Sequence, residues 1–225
     1  MKVFSFCLYG NKPKYITGMH ENIKTISAVF PDWKVVIYYE EETTDIKPFE
    51  AYSNVVLKKG EYKGNQMMLD RFKPIDDPDV EVMMVRDSDS RINERDEWCI
   101  REFMRSPKLF HIIRDHPYHT SFIMGGLWGM KRGLLPRFLK MDQMIKVYAS
   151  ENPNIQGFDQ HFLSNIIYPK IRGSVLIHGC VKMHPTEHIV LIPIRSQHEF
   201  CGQAIEYDDE GREYHNCNDC RALQQ

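Results

Sequence analysis

The strongest constraint on this chain is the way its first half alternates two hydrophobic rhythms. Residues 3–8 form a short apolar run that breaks at Tyr9-Gly10-Asn11. In "YITGMHENIKTISAVF", Tyr15, Met19, Ile23, Ile26 and Phe30 recur at gaps of four, four, three and four, the spacing of one helix face. Pro31-Asp32 stops that helix, "WKVVIYYE" predicts a second strand, and residues 55–58 a short third. "NQMMLDRF" predicts a helical turn or two ended by Pro74, and Val80 to Val85 a further strand. Asn93 is placed to cap a helix with Asp96 three residues on as its partner carboxylate, and Trp98, Ile100, Phe103 and Met104 supply that helix's apolar face. "KLFHIIRD" predicts a strand, "LPRFLKMDQMIKVYAS" and "FDQHFLSNIIY" helices, and "SVLIHG" a late strand. Strands alternating with helices predict an α/β fold built on a largely parallel sheet flanked by helices.

The 225 residues suit one domain, and no internal repeat, low-complexity segment or Gly/Ser/Pro-rich linker divides them. With 42% hydrophobic and 27% charged residues, the balance is that of an ordinary globular protein. A net charge of -2 provides no general attraction for nucleic acid or anionic membrane, so any anionic ligand must meet a local positive patch. No apolar run approaches the roughly 20 residues needed to span a bilayer. "KVFSFCLYG" lacks a small-residue cleavage site and is read as a first strand, not a signal peptide, which points to a cytoplasmic protein. Of six cysteines, Cys7 and Cys99 read as buried thiols. "CNDC", residues 217–220, has the gap of a zinc knuckle, but no second CxxC exists. A zinc site would need Cys180 and Cys201 to converge with it, and a loose, reduced tail is the simpler reading.

Parallel sheets gather ligands at the carboxyl ends of their strands. Two exits therefore stand out: Tyr9-Gly10-Asn11, and the run Arg86-Asp87-Ser88-Asp89-Ser90-Arg91. In an extended exit Asp87 and Asp89 leave on the same side. Two carboxylates held that close repel unless a cation or a proton intervenes. Oxygen-only ligation suits Mg²⁺ or Mn²⁺, completed by water and phosphate oxygens. Arg86 and Arg91 are then candidates to contact a diphosphate or to orient the acids. The alternative is a polar turn, for which Asp and Ser are equally suited. No Walker loop, GxSxG elbow or HExxH pair occurs in the chain.

A strand ending in Asp-x-Asp inside such a domain resembles the GT-A class of nucleotide-sugar glycosyltransferases. Four longer stretches resemble a branch found in bacterial polysaccharide and large-virus glycosylation systems: "MMLDRFKPIDDPDVEVMMVRDSDSR", "HIIRDHPYHTSFIMGGLWGMKRG", "GFDQHFLSNIIYP" and "EFCGQAIEYDDEG". The resemblance covers most of residues 1–210. It implies a nucleotide-binding half over 1–110, a sugar and acceptor half over 111–205, and a tail over 206–225. Asp87 would face the ribose or the metal, and Asp89 would bind the metal. Leu8, Tyr9 and Gly10 would line the nucleobase and ribose pocket, with Arg71 near the diphosphate or base. Gly125 and Gly126 would leave room for the sugar, and Trp128 would offer it a ring face, unless that ring is core. "FDQHFLSN" resembles the Asp-Gln-Asp-x-x-Asn helix of some retaining members, with His161 in place of the second acid. Asp159 and Gln160 would sit near the donor sugar, unless Asp159 only caps its helix. "IHGCVK" would supply His178 as a third metal ligand and Lys182 to phosphate, although a strand-end histidine is often purely structural. Asp115, His116 and His119 in "RDHPYH" are either a turn or acceptor contacts.

The implied reaction moves a glycosyl group from a nucleoside diphosphate sugar to a hydroxyl of a glycan, with Mn²⁺ or Mg²⁺ bound and Asp159 or Asp115 available as a base. The Asp-Gln likeness leans toward retention of configuration. The rival readings are a metal-dependent nucleotide-sugar hydrolase or nucleotidyltransferase using the same acids, and a noncatalytic sugar-binding module.

Overall fold

The structure is a computed structural model, and it describes residues 1–135, 139–195, 199–208 and 210–215. The elements follow in the order β1 (Lys2–Leu8), α1 (Pro13–Val29), β2 (Trp33–Tyr39), β3 (Val55–Lys59), β4 (Val82–Val85), α2 (Glu94–Arg105), β5 (Phe110–Arg114), β6 (Trp128–Lys131), α3 (Met141–Glu151), α4 (Phe158–Phe162), α5 (Tyr168–Ile171), β7 (Val175–Gly179), β8 (Ile189–Val190), β9 (Ile205–Tyr207) and β10 (Glu213–His215). One sheet runs β3-β2-β1-β4-β6-β5-β7-β8 and continues through both halves of the chain. Only β6 is antiparallel to its neighbours, β4 and β5. The α/β fold with a largely parallel sheet is as expected.

Both faces of the sheet are covered, which is why its central strands read as continuous apolar runs. From β1 and β4, Phe4, Phe6, Leu8, Val82 and Met84 pack against α1 and α2. Val3, Cys7, Met83 and Val85 point the other way, toward the helical segment 64–76, α3 and α4. In α2, Cys99, Ile100 and Phe103 are buried, while Trp98 and Met104 lie at the edge of the core.

Several expectations need correction. The helical turns at 64–76 are 3-10 and pass through Pro74 instead of ending there. Proline's fixed φ is compatible with a helical turn, and it removes only one donor. Helix α3 begins at Met141, later than expected, capped by Asp76 accepting from the Met141 and Asp142 amides at 2.9 and 2.8 Å. The segment after α4 is a π-turn over Leu163–Ile167. Strand β6 has no period-two signal: Trp128 and Met130 are core, but Gly129 between them has no side chain to mark the other face. The expected tail starts as the hairpin β9–β10. Cys217 and Cys220 lie outside the described residues; Cys7, Cys99 and Cys201 are buried free thiols, and Cys180 is an exposed one. Among the described residues no helix is long and apolar enough to cross a membrane.

Arg86 is the largest departure from its expected role. Its guanidinium does not reach the sheet's ligand edge. It turns inward, donating from Nε and Nη2 to the two oxygens of Asp96 at 2.8 and 2.7 Å, and from Nη1 to the carbonyl of Trp128 at 3.2 Å. Both partners are 1% exposed. Asp96 therefore does not complete the capping box; Asn93 alone caps α2, its Oδ1 accepting from the Asp96 amide at 3.0 Å. The fork ties the end of β4 to the first turn of α2 and to β6. Removing one member of a buried pair strands the other's charge, at a cost of about 3–5 kcal/mol. Arg86→Met is expected to lose that much stability in urea unfolding, and Arg86→Met/Asp96→Leu to regain most of it.

Candidate active site

The exits of β1 and β4 lie side by side because β1 pairs in parallel with β4, Ser5 opposite Val85. At the first exit Gly10 has a φ of 70°, a left-handed turn that a glycine makes without strain, and its amide donates to Thr43 Oγ1 at 3.0 Å. Tyr9 is left 40% exposed. Leu8 is buried core and only its carbonyl faces the turn, accepting from Glu40 N and Thr44 Oγ1, so it does not line a pocket.

The acidic run is held from several sides. Asn22 of α1 donates to the carbonyl of Ser90 at 2.8 Å and accepts from the amide of Ile92 at 3.2 Å. Helix α1 also contributes a close approach: a Cβ at Gly18 would stand 1.9 Å from the Ser88 carbonyl oxygen. From the C-terminal side, Ile205 N donates to the Asp89 carbonyl at 2.8 Å and Ala204 bridges Ser90. Arg91 is engaged by Tyr207 and Glu213 at 3.0 and 3.1 Å, outside the acidic pair.

Two adjoining recesses sharing Tyr9, Met68 and Asp87 open at this edge. One, about 170 Å³, is lined also by Tyr15, Ser88 and Asp89. The other, about 220 Å³, is lined by Arg71, His119, Gly125, Gly126, Asp159 and Gln160. Arg71, 1% exposed, lines the second of them. It bonds to Asp87 Oδ1, donates to Asp159 Oδ2 at 2.9 Å, and reaches the Arg86 carbonyl at 3.1 Å. The two glycines are where this crowding forbids a side chain. A Cβ at Gly126 would lie 2.1 Å from Asp87 Oδ2, and one at Gly125 2.2 Å from Asp159 Oδ2. A larger recess of about 570 Å³ beside Ile75, Arg132 and Lys140 lies toward the opposite end of β4, where its one carboxylate, Asp76, is occupied in capping α3.

Four carboxylates, Asp87, Asp89, Asp159 and Glu206, face two cations, Arg71 and Lys14. Lys14 Nζ stands 3.0 Å from Glu206 and 3.8 Å from Asp89. Two negative charges are left over. Burial, helped by the neighbouring charge of Asp87 and only partly offset by Lys14, pushes the Asp89 carboxyl up to about 6 from its ordinary 3.8. Sequence reading missed Lys14, Tyr15, Gly18, Asn22 and Glu206. The only available signal was the helical register that places Lys14, Gly18 and Asn22 on one side of α1.

Other expected site residues sit elsewhere. Trp128 is fully buried in β6, stacked at 5.2 Å on Phe110 and edge-on to Phe72 at 4.9 Å, so it is core and not a pocket wall. Its indole N–H stays satisfied by the Gly125 carbonyl at 3.2 Å. His178, three places along the sheet from β4, bonds through Nδ1 to His111 Nε2 at 2.8 Å and meets the edge of Trp98; it does not join the acidic pair. Asp115 is 4% exposed, takes both Arg95 Nε (2.8 Å) and Nη2, and accepts from Cys201 N at 3.0 Å, which leaves it no role as a free base. Lys182 is exposed beyond β7. No group of three or more His, Cys, Asp or Glu side chains among the described residues converges as a metal site. The four-thiolate reading involves Cys217 and Cys220, which lie outside the described residues.

For Asp89 the sign of the pH effect is fixed. A carboxyl whose native pKa is raised contributes stability below its ordinary range, and that contribution is lost as pH rises through about 6. The Asp89 side-chain carbonyl resonance is expected to titrate near pH 6 in the ligand-free protein. Asp87→Asn moves that midpoint down without returning it to 3.8, because burial remains. Asp89→Asn raises stability at pH 8 by on the order of 2 kcal/mol, a gain that vanishes below pH ~4.

No protein-family model matches this chain, and no curated protein matches its sequence. Solved structures do resemble it. A glycosyltransferase involved in glycosylation of the major capsid of PBCV-1 is 16% identical over 79% of this chain and 81% of its own, with a TM-score of 0.53. The 4-diphosphocytidyl-2C-methyl-D-erythritol synthase of Anaerococcus prevotii is 12% identical over 100% and 99%, with a TM-score of 0.54. The Pyrobaculum calidifontis mannosyltransferase PcManGT, in complex with GDP-Man and Mn²⁺, is 16% identical over 84% of this chain and 55% of its own, with a TM-score of 0.51. What is shared at this level of identity is the fold alone, an α/β fold on a largely parallel sheet common to the two glycosyltransferases and the erythritol synthase.

Proposed function

We propose that the protein is a metal-dependent glycosyltransferase that moves a sugar from a nucleoside diphosphate sugar to a hydroxyl of a glycan. The observation that carries this reading is the charge surplus at the β4 exit: two adjacent carboxylates, one of them largely buried, facing a groove whose cations are already paired. The donor set fits Mg²⁺ or Mn²⁺, since it is all oxygen and only two carboxylates deep, leaving the remaining positions to diphosphate and water oxygens. The fold likeness to a mannosyltransferase in complex with GDP-Man and Mn²⁺ supports the same assignment.

In this reading Asp87 and Asp89 hold the cation, and Tyr9 and Gly10 border the nucleoside. When bound, the metal neutralises charge developing on the departing diphosphate. Arg71 keeps Asp87 and Asp159 at a fixed spacing, so the donor's two ends are bound in one geometry. Asp159, on the sugar side, presents negative charge where the anomeric carbon becomes electron-poor. The Asp159-Gln160 pair on α4 supports a retaining course, in which the leaving phosphate oxygen takes the acceptor proton. The 1–110 half then handles the nucleotide and the 111–205 half the sugar.

A nucleotidyltransferase is the second reading, favoured by the likeness to the erythritol synthase. Activating a nucleoside triphosphate places more negative charge in the groove, where Arg71 and Lys14 are already committed. The product separates the two: nucleoside diphosphate released from a sugar nucleotide, against nucleotide joined to a sugar phosphate.

Thermal unfolding with UDP-, GDP- and dTDP-sugars, with and without Mn²⁺, is expected to show a rise in Tm for one base, present only with the metal. Asp89→Asn should abolish that rise. Gly126→Ala, whose Cβ meets Asp87, should weaken sugar-nucleotide binding about tenfold or more. A rise of equal size in Asp89→Asn would refute the assignment.

A further inference from the structure

The proposed chemistry leaves one group in the 220 Å³ cavity unused, the imidazole of His119. The ring is 6% exposed and held on several sides. The Asp115 amide donates to its Nδ1 at 3.1 Å, its own amide donates to the His116 carbonyl at 2.9 Å, and Phe200 stands edge-on at 5.6 Å. A backbone N–H can only donate, so Nδ1 is bare and the proton of the neutral ring sits on Nε2. Burial, reinforced by His116, holds the ring's pKa down to about 4, so this tautomer persists at neutral pH. Among the described residues nothing accepts from Nε2.

The surrounding groups complement a single N–H donor. Asp159 spends one lone pair of Oδ2 on Arg71 and one of Oδ1 on the Gln160 amide, both at 2.9 Å, and keeps the others for a ligand. Gln160 Oε1 is taken by Ser121 Oγ at 2.6 Å, which leaves its NH₂ to donate. Two neutral donors and one carboxylate acceptor suit hydroxyls, which both give and accept. They do not suit a carboxylated sugar, because Arg71, the only cation among the described residues lining the cavity, is already spent on Asp87 and Asp159.

We infer that His119 is a specificity-determining residue that donates Nε2–H to one hydroxyl oxygen of an uncharged sugar in the cavity it shares with Asp159 and Gln160. The inference rests on the glycosyltransferase reading and adds to it a class of sugar and the residue that reads it.

The test is calorimetric titration, with Mn²⁺, of UDP-glucose, UDP-galactose and GDP-mannose, their nucleoside diphosphates, and the deoxy analogues of whichever sugar nucleotide binds best. The unmodified protein is expected to bind one deoxy analogue about tenfold more weakly, as follows from leaving a buried donor unpaired. His119→Phe keeps a ring but lacks the donor. It should bind the full sugar nucleotide about tenfold more weakly, bind the nucleoside diphosphate as before, and no longer distinguish that analogue. His119→Gln, whose side-chain NH₂ takes the place of Nε2–H, should recover part of the discrimination. If His119→Phe does not fold, ¹H–¹⁵N spectra of the unmodified protein probe the same hydrogen bond. The His119 Nε2–H must then shift with the full sugar nucleotide and not with the critical analogue. Unchanged discrimination in His119→Phe, or none in the unmodified protein, overturns the inference while leaving nucleotide binding, and so the function, intact. Failure to bind either the sugar nucleotides or the diphosphates overturns the function and the inference together.

Discussion

One buried guanidinium, Arg71, organises the ligand edge of this protein. It comes from the 3-10 segment between β3 and β4, and its two terminal nitrogens reach carboxylates that are 16 and 88 residues further along the chain. A charge buried to 1% exposure is tolerable only if paired and hydrogen-bonded. The pairing requires β4's exit and α4 to approach the same point, and Gly125 and Gly126 make that approach possible by having no side chains. The spacing of Asp87 and Asp159 is therefore a property of the fold, set before any ligand arrives.

The second constraint acts on the other side of the acidic run. Helix α1 touches it through the bare backbone of Gly18 and the two-way amide of Asn22, and the strand β9 covers it from the C-terminal side. Asp89 is thereby kept in a partly dry place where its negative charge is disfavoured, with Lys14 shared between it and Glu206. Such an arrangement stores a demand for positive charge, which the divalent ion of the proposed reading would meet without any further side chain.

Much of the scaffold was legible in the sequence because periodicity is local. The helix from Tyr15 to Phe30, the strands at 33–39, 55–59, 110–114 and 175–179, and Asp-x-Asp at a strand exit all declare themselves within a few residues. What stayed hidden was long-range pairing. Arg86, Asp115 and His178 carry the right chemistry for a site, but Asp96, Arg95 and His111 had already claimed them, and no spacing rule connects residues joined only by the fold. Trp128 misled for a related reason: its glycine neighbours do border the cavity, while the ring itself turns into the core between Phe72 and Phe110. Asp87 and Asp89 lie at the edge because a strand exit puts them there, whereas Asp159, Gly125 and Gly126 reach the same recess only through the fold, a placement the resemblance suggested and no spacing rule could.

The central claim is that the two acids at the end of β4 hold a divalent cation together with a diphosphate. The most direct measurement is the anomalous difference map of crystals grown with MnCl₂ and a sugar nucleotide. The account predicts a manganese peak within bonding distance of both the Asp87 and Asp89 carboxylates, sharing oxygens with the diphosphate, while the Arg71 bridge to Asp159 persists. A diphosphate bound elsewhere, or a manganese ion that touches neither carboxylate, would contradict it.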